Sequence, residues 1–116
     1  MSIHIYCKGI DILHVKNSIF GFLHDGIKFI IESGNLPISK NLEKMLDEMD
    51  QNIYGGGAIC VDVADYLTTK EELLIFADLV KRAIEKEHKE YPFIPEALER
   101  LWNFHKELLK YSEKLK

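Results

Sequence analysis

The sequence predicts a predominantly helical α+β fold, and three observations predict it. Apolar residues recur at helical spacing over four stretches, an N-terminal stretch alternates with strand period, and a second β-prone run follows three consecutive glycines. The 116-residue chain has room for a single domain, 1–116, built on one core. Its 47% hydrophobic and 29% charged residues fit a globular protein and exclude a disordered or fibrous one.

Taken in order, residues 2–7 and 10–15 read as short strands, with Lys8-Gly9 between them as the turn. A helix over 16–33 follows: Asn17, Gly21, His24, Asp25, Lys28 and Glu32 form a polar stripe, opposite Phe20, Leu23, Ile27, Ile30 and Ile31. The competing reading makes His24-Asp25-Gly26 a hairpin turn between two strands; the regularity of the polar stripe favours the helix. Gly34 is the expected stop. Ser39 caps a second helix, 40–50, whose Leu42, Met45, Leu46 and Met49 share one face. Gly55-Gly56-Gly57 breaks that pattern, and 58–64 reads as a strand rich in Ile and Val.

Thr68-x-x-Glu71 and Thr69-x-x-Glu72 are overlapping capping boxes that open a helix over 69–88. Leu73, Phe76, Val80 and Ala83 line its core side, and Asp78, Lys81, Glu85 and His88 its wet side. Pro95 suits the first turn of a last helix, 95–114. There Ala97, Leu101, Phe104, Leu108, Tyr111 and Leu115 form one stripe and Leu98, Trp102, His105 and Leu109 a second, so the edge at Trp102 and Leu109 could pack internally or meet a partner.

The residues carry no catalytic signature. The triple glycine precedes a strand rather than a helix N-terminus and lacks the lysine of a phosphate loop. Glu85-x-x-His88 has di-metal spacing but lies on a wet face without a second pair. His14, His24 and Asp25 are not brought together by spacing, so a small hydrolase using His24 and Asp25 is a minority reading. Cys7 and Cys60 have neither CxxC spacing nor an activating histidine and read as reduced thiols. No cofactor or metal is expected, and the protein is expected not to be an enzyme. The first residues do not resemble a secretory signal and no apolar run approaches a membrane span, so the expected setting is the cytoplasm, with no membrane partner. A net charge of −4 argues against gripping nucleic acid directly.

The most informative feature is where the charge sits. Residues 41–69 hold Glu43, Asp47, Glu48, Asp50, Asp62 and Asp65 against Lys44 alone, a net of −5, which leaves the rest of the chain at +1. Tyr54 and Tyr66 are interleaved with these carboxylates. Clustered acid with aromatics at hand suits docking on a basic partner, because complementary charge speeds encounter and aromatic anchors supply affinity. A small acidic α+β chain with a middle segment such as LEKMLDEMDQNIYGGGAICVDVADYL resembles the immunity proteins of bacterial polymorphic toxins, including those of contact-dependent growth inhibition. The resemblance implies an antitoxin that binds one cognate toxin, often a nuclease with a basic cleft. On that reading Glu43, Asp47, Glu48, Asp50, Asp62 and Asp65 face the toxin, with Tyr54, Tyr66 or Trp102 as anchors. The alternative is a small helical regulatory module, or a homodimer paired through Trp102 and Leu109.

Overall fold

A type I′ hairpin turn needs positive φ at both central positions, which Gly adopts freely and other residues adopt at a cost. Lys8 and Gly9 take φ of +51° and +79° in the computed structural model, which describes residues 2–54 and 59–115. The turn joins β1 (Ser2–Cys7) to β2 (Ile10–Lys16). Pairing is antiparallel and starts in register from the turn, Cys7 with Ile10 and Tyr6 with Asp11. It then slips by one residue, so that Ile5 faces Leu13 and His4 faces His14. The extra residue is Ile12, a bulge that buries Ile12 and Leu13 consecutively and restores alternation beyond them. Residues 2–15 therefore form a hairpin, and β3 (Ile59–Asp62) joins it, parallel to β1, in a sheet of order β2-β1-β3.

The four expected helices are present: α1 (Asn17–Gly34), α2 (Lys40–Tyr54), α3 (Lys70–Glu90) and α4 (Pro95–Ser112). The hairpin reading of 16–33 is excluded by α1, which ends where Asn35 turns left-handed at φ +48° and its N–H bonds back to Glu32 and Ile31. Helix α2 runs past Asp50 to Tyr54. Strand β3 stops at Asp62, because the Asp62 carboxylate accepts the Ala64 N–H and starts a 3-10 turn, Val63–Asp65. The last helix ends at Ser112, short of 114.

Local caps hold two of these starts. Ser39 Oγ accepts the Leu42 N–H, and Thr69 Oγ1 accepts the Glu72 N–H. The two caps meet at one carboxylate, since Glu72 accepts from Ser39 Oγ at 2.7 Å and from Thr69 Oγ1 at 3.1 Å. The N-termini of α2 and α3 are thereby tied together.

The core lies between one face of the sheet and the helices. Ile3, Ile5, Leu13, Val15 and Val61 point inward from the strands to meet Phe20, Phe76 and Phe104. Burying such side chains stabilises the fold by about 1.5–3 kcal/mol each. Phe76 and Phe104 meet edge to face across the α3–α4 contact. The α1–α3 contact is close enough that a Cβ on Gly26 would lie 3.0 Å from Glu87 and 3.2 Å from the Ala83 methyl.

The polar stripe read on α1 is only in part a wet face. Within the stripe His24 is fully buried and Gly21 faces Ile53, while Asp25 and Glu32 are exposed and Lys28 is half-buried; the apolar Phe22 and Phe29 are exposed as well. Helix α1 packs chiefly on α3 and also touches α2 and the hairpin, which narrows its solvent face. On α3 the residue that departs from expectation is Glu87, buried against α1 beside Lys86 at 3.5 Å. His88 is half-buried: its Nδ1 accepts the Phe93 N–H and its ring stacks on Phe93, which fixes the loop after α3.

Candidate functional site

Helix α2 separates its residues by period. Leu42, Met45, Leu46 and Met49 are buried in the core, and Glu43, Asp47 and Glu48 are exposed on the other side. Asp65 is exposed on the 3-10 turn, and Tyr66 beside it is half-buried against the core. Burial first, then the charges of Glu48 and Asp65, push the Tyr66 phenol above its ordinary pKa. That coupling places Glu48, Asp65 and Tyr66 in one neighbourhood. Glu43 and Asp47 line a groove of about 320 Å³ between α1 and α2 together with Glu32, facing Lys28. Among the described residues no ion pair engages Glu43, Asp47 or Asp65.

Two of the six expected carboxylates are occupied within the fold. Asp62 accepts the N–H groups of Lys8, Gly9 and Ala64, at 3.0, 2.9 and 2.9 Å, and so pins the β1–β2 turn to the end of β3. Asp50 is half-buried, with Lys28 Nζ and His24 Nε2 each 3.4 Å from its Oδ1. His24 is fully buried, and that contact is too poorly aimed to be a hydrogen bond; neither ring nitrogen has a partner among the described residues. Burial lowers the His24 pKa, against the pull of Asp50, and keeps the imidazole neutral.

The expected anchors are scattered. Tyr54 closes α2, and its side chain lies outside the described residues, as do Gly55-Gly56-Gly57 and Ala58. Trp102 is half-buried on α4, packed against the core and edge to face with His105, while α2 packs on α1 and β3. Leu109 is exposed. Other aromatics are more exposed: Phe22 and Tyr91, 48% and 67% exposed, stack beside Ile94 over a groove of about 480 Å³. Phe29 carries Lys86 Nζ 4.5 Å above its ring centroid. Apolar positions on a helix give no sign from sequence of which will lack a neighbour, so this surface is not legible before packing is known.

The chemistry-bearing residues also assort differently from their spacing. His14 and His24 differ in setting, the first exposed on β2 and the second buried in α1. His14 instead stacks on His4, and His4 Nδ1 lies 3.0 Å from Asp11 Oδ2. Cys7 and Cys60 are both free thiols, the first buried and the second exposed. Burial first, then the Asp62 charge, pushes the Cys7 thiol up to about 11, so it stays protonated at neutral pH. Among the described residues no three potential metal ligands converge, and no helix is long and apolar enough to cross a membrane. Compared with known proteins, the chain finds no matching family model, no matching curated protein and no matching solved structure.

Proposed function

We propose that the protein is a non-enzymatic inhibitor of the immunity type, which neutralises a cognate toxin by presenting the acidic surface of α2 and the adjoining 3-10 turn to a basic face of that toxin. One observation carries the reading: Glu43, Asp47, Glu48 and Asp65 are all exposed, on two neighbouring elements held on a common core. A cleft that grips nucleic acid supplies the cations such a surface would meet, so a nuclease is the fitting target. Tyr66, at the border of this surface, is the aromatic best placed to anchor it. Asp50 and Asp62 hold the surface in place from within. On this reading the protein acts in the cytoplasm, without cofactor.

The test uses the protein purified with its bound partner from source cells at about 0.15 M salt, where exposed charges act over roughly 8 Å. A basic protein whose toxicity is neutralised by the wild type, and whose affinity falls on combining Glu43→Gln, Asp47→Asn, Glu48→Gln and Asp65→Asn, supports the proposal. Unchanged affinity of that quadruple variant overturns the acidic surface. The second reading, a self-associating module, is favoured by the exposure of Phe22, Tyr91 and Ile94 rather than by Trp102. A sedimenting dimer that Tyr91→Ser dissociates would select it.

A further inference from the structure

The outward side of the sheet carries the only close pair of imidazoles among the described residues. The Ile12 bulge shifts the hairpin register so that His4 faces His14 across the strands; without it His4 would face Leu13. The two rings stack with centroids 4.1 Å apart and planes 17° from parallel. Stacking pairs one face of each ring and leaves the edges that carry the nitrogens outside the stack, which favours capture of something at the edges. Asp11 fixes one of those edges. Its Oδ2 lies 3.0 Å from His4 Nδ1, the second partner that metal-ligating histidines usually have, and it assigns the proton to Nδ1 and the lone pair to Nε2.

We infer that His4 and His14 form a two-histidine chelate for a borderline divalent transition ion such as Zn²⁺, oriented by Asp11. Two imidazole nitrogens on tetrahedral zinc, each at about 2.0–2.1 Å, stand roughly 3.4 Å apart, within the reach of rings whose centroids are 4.1 Å apart. Near-parallel rings have near-parallel lone pairs, so one ring must turn to converge on the ion. His14 is the ring free to do so: it is exposed, and among the described residues its imidazole makes no hydrogen bond and meets only the His4 ring, while its backbone carbonyl accepts from Arg100 at 2.9 Å. Among the described residues no third ligand converges with these two, the exposed Cys60 being the register neighbour of His4 on β3, so water or a partner's side chain completes the coordination. The ion would bridge β1 and β2 near the middle of the hairpin, beside the bulge.

The test is titration of the untagged protein with Zn²⁺, and with Co²⁺ for its absorption bands, followed by calorimetry and thermal denaturation. One ion should bind per chain and raise the melting temperature, with Mg²⁺ inert, because imidazole selects transition ions. His14→Gln should abolish the effect. Asp11→Asn, which keeps both ligands, should weaken affinity by about tenfold or more. His105→Gln, on α4, should change nothing. All three side chains are exposed or half-buried, so the variants should retain the helical circular dichroism of the wild type. Wild-type affinity in His14→Gln, or the absence of saturable binding up to about 1 mM Zn²⁺, overturns the inference.

Discussion

Replacing Asp62 by alanine tests the claim that this carboxylate is structural rather than part of a docking surface. The change removes the acceptor of three backbone N–H groups. The Ala64 N–H is part-buried, and leaving it unpaired costs about 1–3 kcal/mol. The Lys8 and Gly9 N–H groups are exposed and regain water, so each loses about 0.5–1 kcal/mol. The sum is about 3 kcal/mol, a large share of the roughly 5–15 kcal/mol that holds a domain together. At this chain length it corresponds to a fall in melting temperature on the order of 10 °C. Urea denaturation followed by circular dichroism measures it directly. Asp62→Asn keeps one acceptor oxygen and should lose about half as much. A loss below about 0.5 kcal/mol for Asp62→Ala, the range of an ordinary surface substitution, would refute the reasoning. The result also bears on function, since charge reversal at Asp62 would disturb the hairpin before it disturbed any partner.

Three further outcomes follow from the same packing. Lys8→Asn should stabilise the protein by about 1 kcal/mol, because Asn tolerates the left-handed φ of +51° better than Lys does; an unchanged urea midpoint would count against that strain. Gly26→Ala should destabilise by about 1–2 kcal/mol despite the better helix propensity of Ala, because the new methyl meets buried Glu87 and Ala83; a gain in stability would mean that α1 and α3 separate easily. His24 has a folded pKa below its unfolded value of about 6.5, so the unfolded chain binds the proton more readily and stability falls as pH drops below that value. The urea midpoint should therefore decline between pH 7.5 and 5.5, and His24→Phe should flatten that decline; an equal slope in both proteins would remove His24 as its cause.

The helices were legible because their signals are local. Ser39, Thr69 and Pro95 sit at the starts of α2, α3 and α4, where cap chemistry and apolar period place them without reference to the rest of the chain. What the sequence could not convey is which neighbour each face meets. On α1 the period separates two stripes correctly, yet packing on both α2 and α3 buries His24 from the polar stripe and leaves Phe22 and Phe29 in water. The acidic segment was legible as composition and only partly as a surface. Glu43, Asp47, Glu48 and Asp65 face outward, whereas Asp50 and Asp62 turn to Lys28 and to the hairpin turn, contacts made across 22 and 54 residues of chain. Asp11 and His14 stand three apart on one strand, so strict alternation would set them on opposite faces; their meeting with His4 depends on the Ile12 bulge, which no residue pattern announces.

An acidic helix that docks on a partner gains from being held still, because ordering it at the moment of binding would subtract from affinity. Glu72 supplies that hold at the start of α2, accepting from Ser39 of its cap while anchored by Thr69 on α3. The Ser39 hydrogen bond first, then that of Thr69, keeps the Glu72 carboxyl below the ordinary glutamate range in spite of partial burial. A depressed carboxylate stabilises the fold above its unfolded pKa of about 4.3, and that contribution is lost as pH falls through the folded value. Glu72→Ala should accordingly lose about 1–2 kcal/mol at neutral pH, the scale of a lost cap, and lose less at pH 3. It should also speed amide exchange in the first turn of α2, because the Leu42 N–H then relies on an unsupported Ser39. If exchange there is unchanged, Ser39 holds the helix start alone and the tie between α2 and α3 contributes nothing to presenting the acidic surface. If it accelerates while Glu43, Asp47, Glu48 and Asp65 remain in place, weaker partner binding by Glu72→Ala would come from lost order and not from those four charges.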